Sequence, residues 1–417
     1  MATPARPRLR PVETIVVPDK EHGKILILRD TEGIATSSAQ IPPALVPIVG
    51  RFEGRLTCAE IAREASVVLG EEVPVSLVEK IARELDEALL LEGATFRAAR
   101  AKVETAFASA STRTASHAGG AYFADPKKLE AYLDEKCLAF GDAKHSKGKT
   151  ITALIAPHID PWRGAVDYGH GYAALAAALS PEADTFVLFG TSHAPMREPF
   201  ALCNKAFDTP FGALDADQDA LAAIAAHAKF DPYADQLLHK REHSLEFQVV
   251  FLKHVLAHQK KRNKPAKIVP ILASLGEHQA RGTSPERDKT ATAFLDGIRA
   301  LAEERGERIV FVAGADMAHV GPRFGDAEPY DEEQRHDLET VDRESLAHAT
   351  SRSAAGFWGH VMKDNDTRRV CGLAPIYAML KAMPKDAATH AETLHYEQTI
   401  DPDDGSIVSH ASVAFYR

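Results

Sequence analysis

The sequence predicts an α/β protein with a mainly parallel or mixed sheet and helices on both faces, preceded by a small winged-helix-like domain. Three observations lead there. Short β-branched apolar runs alternate with helical patterns from residue 151 onward, which is the signature of a sheet covered by helices on both faces. The first 96 residues carry a separate pattern of strand and short-helix signals. Between the two, a stretch rich in Ala, Ser and Thr has few large apolar side chains and suits a linker. The expected boundaries are therefore 1–96, a linker over 97–112, and 113–417.

In the first region, Lys24–Leu28 (KILIL) reads as a strand, followed by a turn at Asp30–Gly33. Pro42–Phe52 reads as a helix with Leu45, Val46, Ile48 and Val49 on one side. Thr57 caps a second helix, with Glu60 three residues later completing a capping box and Gly70 closing it. Ser76 is expected to cap a third helix running through Leu85 to Leu91. A strand pair with three short helices suggests the winged-helix-like form. In the second region the strand candidates are Ile151–Ala156, Thr185–Gly190, Lys267–Leu272 and Arg308–Ala313, with Ala411–Tyr416 closing the chain. The helical patterns between them are Ala173–Leu179, Ala216–Ala228, Leu245–His258 and Ala291–Glu304.

Composition narrows the function. The 417 residues are 45% apolar and 26% charged, which allows a large packed core and excludes global disorder. With 49 Lys and Arg against 59 Asp and Glu, the net charge of −10 argues against a nucleic-acid footprint, as does the acidic third helix with Glu79, Glu84, Asp86 and Glu87. No apolar stretch reaches the ~20 residues of a membrane span. The basic N-terminal segment lacks the apolar run of a signal peptide, so a cytoplasmic protein is expected. The four cysteines, Cys58, Cys137, Cys203 and Cys371, form no C-x-x-C pair and no disulfide framework. Three of them are expected to be buried thiols.

In open α/β sheets the functional site lies beyond the carboxyl ends of the strands. Those ends read Pro157-His158-Ile159-Asp160 after the first strand, Ser192-His193-Ala194 after the second, and Asp316-Met317-Ala318-His319 after the fourth. Two helix openings join them, Glu242-His243-Ser244 and Cys371-Gly372. A single His after a strand is usually a structural hydrogen-bonding residue; several in the same topological place point to a site. Imidazole and thiolate donors suit Zn, Cu or Fe rather than Mg or Ca. Three protein ligands would leave positions open for substrate, as catalytic sites require. Other motifs fall away. Lys147-Gly148-Lys149-Thr150 lacks the P-loop glycine, since position 143 is Ala143, and no H-E-x-x-H occurs. Gly190-x-Ser192-x-Ala194 lacks the second glycine of a nucleophile elbow.

Two resemblances follow from these residues. The run FEGRLTCAEIAREASVVLG followed by VEKIARELDEALLLEG resembles the small PqqD-like domain, which implies binding of a substrate peptide or a radical-SAM protein. From Arg113 to Arg417 the chain resembles the Memo family, protein B of the AmmeMemoRadiSam gene set. The match begins at Ser116-His117-Ala118-Gly119-Gly120-Ala121-Tyr122 and continues, in the family's order, through His158, Ser192-His193, Glu242-His243-Ser244, Asp316 with His319, and Cys371-Gly372-Leu373-Ala374-Pro375. That family is similar in fold to the class III extradiol dioxygenases, which hold ferrous iron with two His and a Glu. The resemblance implies metal ligation by His158 and His193, with Cys371 in the place of the Glu. It also implies that Asp316 and His319 line the same cavity, with His243 facing substrate or a ligand. His319 is the candidate general acid/base. Asp316 reads equally well as a partner that orients a ligand His.

The chain departs from the family's P-H-A-G-Y at Pro157-His158-Ile159-Asp160-Pro161, and from its D-F-C-H at Asp316-Met317-Ala318-His319. The leading expectation is thus one transition metal ion, Fe(II) favoured and Cu or Zn possible, doing dioxygenase-like redox chemistry on a small molecule or peptide with a radical-SAM partner. The alternatives are a non-catalytic peptide-binding or scaffold protein using the same cleft, and a zinc-dependent hydrolase.

Overall fold

The computed structural model describes residues 4–21, 23–35, 37–259 and 264–417. The first three residues of the basic N-terminal segment thus lie outside the described residues. The chain divides into two compact units, Met1–Ala110 and Ser111–Arg417.

In the first unit, Glu13–Asp19 and Gly23–Arg29 form an antiparallel hairpin in which Val16 opposes Leu26, and Ala39–Ile41 pairs with the second strand. A strand pair is expected here, but the sequence pattern places only Lys24–Leu28, not its partner Glu13–Asp19. It pairs on one side only, contains Pro18 and leaves Val16 61% exposed, so it lacks the clean apolar alternation of a half-buried strand. The helix expected over Pro42–Phe52 is a 3-10 turn at Pro43–Leu45 and one α-turn at Val46–Val49. The capping box forms as written: Thr57 accepts from Glu60 N, Thr57 N donates to Glu60 Oε2 at 2.7 Å, and Gly70 ends the helix Cys58–Leu69 at φ 73°. Ser76 is not the cap of the next helix. That helix spans Val75–Glu87 and starts from extended Pro74, leaving Ser76 inside the first turn. Ile61, Ala65, Val78, Ala82 and Leu90 are fully enclosed at its core. An Ala-rich helix, Ala94–Ser109, occupies most of the segment expected as linker. Its alanines favour helix, but it buries only Phe96 and Phe107, so no apolar period marks it.

The second unit is built on a nine-stranded mixed sheet. Its centre is parallel: Ile309–Gly314 lies between Ile151–Ala156 and Thr185–Thr191, and Lys267–Ala273 lies beyond the latter. Ile407–Tyr416 runs antiparallel against Ile151–Ala156, and His390–Ile400 and Asp316–Val320 each pair antiparallel with it. Every residue of Ile151–Ala156, Thr185–Thr191 and Ile309–Gly314 is buried, as expected of strands covered on both faces. Helix Ala165–Ala178 is longer than the Ala173–Leu179 pattern. Gly169 and Gly171 mask its first half, and Gly169 is required there: a Cβ on it would sit 2.0 Å from the Cys137 carbonyl oxygen. Cys58, Cys137 and Cys203 are buried free thiols, while Cys371 is partly accessible. No helix among the described residues is long and apolar enough to cross a membrane.

Candidate metal centre

Register assembles the site. Gly314 pairs with Ala156 on one side and with Gly190 on the other, so three strands end side by side. Counting onward from that line brings His158, His193 and Asp316 to one edge of the sheet. Helix His243–Ala257 begins directly on it. A Cβ on Gly190 would stand 2.5 Å from Ser244 Oγ, and one on Gly314 would stand 2.4 Å from the Ser244 carbonyl oxygen. Only glycine leaves room for the helix start at these tips, which delivers Glu242 and His243. Cys371 arrives from the other side. Gly372 N donates to the Asp316 carbonyl at 3.0 Å, and Thr191 Oγ1 donates to the Cys371 carbonyl at 2.9 Å.

The rings are oriented by fixed acceptors. His158 Nδ1 lies 2.9 Å from the Gly314 carbonyl oxygen, which makes Nδ1 the protonated nitrogen and leaves the lone pair on Nε2. His158 Nε2 then lies 3.2 Å from Cys371 Sγ and 3.6 Å from Asp316 Oδ2. The Asp316 carboxylate also accepts from His158 N at 2.8 Å. His193 Nδ1 faces the Glu242 carboxylate at 3.0 and 3.1 Å, and His193 N donates to Glu242 Oε2 at 3.0 Å. That pairing is the carboxylate–histidine arrangement that orients metal-binding imidazoles. His243 stacks on His193 with centroids 4.5 Å apart, and its Nδ1 is 3.4 Å from Glu242 Oε1.

Two groups of potential ligand atoms result, each within 4.8 Å: His158 with His193 and His243, and His158 with Asp316 and Cys371. His158 belongs to both. His319 stands apart from these groups. It lies on the edge strand Asp316–Val320 rather than in a loop, with its ring against Phe324 at 5.0 Å and Nδ1 3.3 Å from the Met317 carbonyl. It still feels the Asp316 charge.

Burial governs the electrostatics. It pushes the Cys371 thiol well above its usual range, and the Asp316 charge adds to this. It lowers His158 despite the Asp316 charge, and takes His243 down to about 3 and His319 to about 4. All three rings are thus neutral at pH 7 and carry lone pairs. Burial would raise Glu242, but His193, His243 and the Ser244 amide hold it well below the ordinary carboxylate range. The centre therefore presents neutral imidazoles, ionised carboxylates and a thiol that needs a nearby cation to ionise. These nitrogen and sulfur donors fit a transition metal ion.

Two contributors escaped the sequence reading. Glu242 was seen only as the neighbour of His243; a carboxylate at a helix N-cap was the available signal, and its contact to His193 spans 49 residues. The second is Glu246, one helical turn further. It accepts from Arg113, Ser116 Oγ (2.9 Å), His117 N (2.9 Å) and Tyr122 OH (2.5 Å). Arg113 also donates to the Glu242 carbonyl at 2.7 Å. This network seats the Ser116–Tyr122 segment beside the centre, with the His117 ring 5.7 Å from that of His243.

The same stretch of chain matches a family model. Residues 113–414 match the Memo-like protein family. The MEMO1 family protein of Aquifex aeolicus is 25% identical over 395 residues, covering 95% of this chain and 97% of that protein. A MEMO1 family protein of Thermus thermophilus is 30% identical over 312 residues, covering 74% of this chain and 85% of that one. The solved structure of an uncharacterized Escherichia coli K12 protein covers 64% of this chain and 99% of its own at a TM-score of 0.35 and 17% identity, a likeness too remote to bear on function. The chain belongs to the Memo family.

Proposed function

We propose that this Memo-family protein binds one transition metal ion through His158, His193 and Cys371 and carries out dioxygenase-like redox chemistry on a small molecule or peptide. The observation that carries the reading is the approach of His158 Nε2 to Cys371 Sγ at 3.2 Å, with His158 Nδ1 already committed to Gly314. Fe(II) is favoured over Cu or Zn, and when bound it would supply dioxygen activation and one-electron transfer. The protein's own groups do the rest. Glu242 holds His193 by its Nδ1 proton. Asp316 fixes the His158 backbone and contributes negative charge beside the cation. His319, neutral and with Nδ1 turned to Met317, accepts a proton at Nε2, and His243 positions substrate. The first unit is proposed to be a PqqD-like module for a peptide or radical-SAM partner, in a cytoplasmic protein.

A second reading takes His158, His193 and His243 as the ligands, favoured by the closeness of their ring nitrogens. Metal analysis of anaerobically purified protein, with oxygen uptake after reconstitution, tests both. One equivalent of iron whose affinity falls in Cys371→Ser supports the first. Loss in His243→Ala with Cys371→Ser unaffected supports the second. No stoichiometric transition metal, together with unchanged affinity for added metal in both variants, rejects both.

A further inference from the structure

Several buried carboxylates of the second unit are neutralised by arginine: Glu246 by Arg113, Asp342 by Arg368, and Asp217 by Arg305. Asp167 is not. It is completely buried in the first turn of helix Ala165–Ala178, and the ion pairs described for it are to imidazoles alone, His395 Nδ1 at 2.6 Å and His410 Nδ1 closer still. A buried carboxylate demands a cation or a full set of donors. Here the two imidazoles donate through Nδ1, and a second carboxylate gathers beside them. Glu397 sits opposite His410 in the register of strands His390–Ile400 and Ile407–Tyr416, on the same face as His395. One ligand atom each from Asp167, Glu397 and His410 falls within 4.8 Å of the others. Glu397 Oε2 is buried and has no hydrogen-bond partner.

We propose that Asp167, Glu397 and His410, with His395 at the rim, form a second cation site, separate from the His158 centre, that takes a divalent ion such as Zn2+ or Mn2+. The donor set is mixed imidazole and carboxylate with no thiolate, which suits such ions rather than Cu(I). The surroundings have the form of an outer coordination sphere. His410 Nε2 meets Thr399 Oγ1 at 2.9 Å, which fixes the ring with Nδ1 toward Asp167, where the shared proton would leave when a cation binds. Ser412 Oγ donates to the Asp167 carbonyl and locks the helix turn to the strand. The His395 ring stacks on His170 with centroids 4.7 Å apart and planes 5° from parallel. Entry is open. A recess of about 470 Å³, lined by Val166, Glu339, His395, Tyr396, Glu397 and Gln398, reaches the His395 and Glu397 side of this group. The two candidate centres share no ligand, although His410 and Asp316 face each other across adjacent strands.

The test is Zn2+ stoichiometry and affinity on chelator-treated full-length protein, by calorimetry and by metal analysis after desalting. It is run in the wild-type background and in a His158→Ala/Cys371→Ser background. Glu397→Gln preserves shape and His395→Ala changes a partly exposed ring, so both report on the site without emptying the core. In each background, Glu397→Gln is expected to remove one Zn2+ equivalent or weaken it at least about tenfold, and His395→Ala to weaken the same equivalent. Zn2+ should also raise the unfolding temperature less in Glu397→Gln than in its parent, a readout that verifies the variant is folded. Unchanged stoichiometry and affinity in both variants, in both backgrounds, overturns the second site. Failure of the His158 centre looks different: the double substitution then costs no equivalent, while Glu397→Gln still does.

Discussion

Glu242→Gln is a sharp probe of how the centre is organised, because it keeps the volume and removes the charge. The carboxylate is buried and takes four approaches: His193 N at 3.0 Å, His193 Nδ1 at 3.0 Å, Ser244 N at 2.9 Å, and His243 Nδ1 at 3.4 Å. A glutamine offers one acceptor oxygen and turns an NH2 donor toward the rest. At least one N–H donor therefore loses its acceptor in a buried site, at a cost of about 1–3 kcal/mol in stability. The effect on metal is separate. Removing a partner that orients a ligating imidazole lowers affinity by roughly 10–100-fold, which is about 1.4–2.7 kcal/mol. Competition against a chromophoric chelator at fixed pH reads the second quantity, and urea unfolding of metal-free protein reads the first. A variant that is destabilised as expected yet binds metal with wild-type affinity would refute the claim that Glu242 works through a ligand at His193.

Other expectations concern the frame. Gly314→Ala forces a methyl to within 2.4 Å of the Ser244 carbonyl oxygen and should cost about 1–3 kcal/mol of unfolding free energy, measured in urea, together with weaker metal binding. Burial alone would raise Glu246, but Arg113 and then His117 and Tyr122 depress it below its unfolded value. Its stabilising contribution is therefore complete above about pH 4.3 and lost as pH falls through the lower folded value. Acid titration of stability should show that loss in the wild type and a flatter profile in Glu246→Gln. Arg113→Met leaves Glu246 as an uncompensated buried charge and should destabilise by about 3–5 kcal/mol at pH 7. Thr57→Ala breaks the capping box of the first unit and should cost about 1 kcal/mol there, without changing metal affinity.

Most of the second unit was legible because its strands are unbroken apolar runs with both faces covered. Legible too was that His158, His193 and Asp316 follow neighbouring strand ends. What stayed hidden was local irregularity and long-range pairing. Gly169 and Gly171 disguise half a helix, because their lack of side chains serves close approaches, to Cys137 and to Ser412 respectively, rather than a turn. Glu13–Asp19 is a strand through its hairpin partner more than through its own pattern. His319 reads as a loop residue after Gly314, yet only one residue separates Gly314 from the edge strand that pairs with Ile407–Tyr416. Pro74 displaces Ser76 as the helix start because its extended backbone already supplies the entry geometry. Glu242, Arg113 and Glu246 take their roles from contacts across 49 and 133 residues, which no motif spacing reveals.

The central claim is that Cys371 is a ligand beside His158 and His193. Absorption spectroscopy of the protein loaded with one equivalent of Co2+ tests it most directly, because cobalt bound to a thiolate shows an intense near-ultraviolet charge-transfer band that imidazole and carboxylate sites lack. A band that saturates at one Co2+ per chain, disappears in Cys371→Ser and persists in His243→Ala is the predicted result. Saturable Co2+ binding at the His158 centre with no thiolate band, or with a spectrum that Cys371→Ser leaves unchanged, would contradict it.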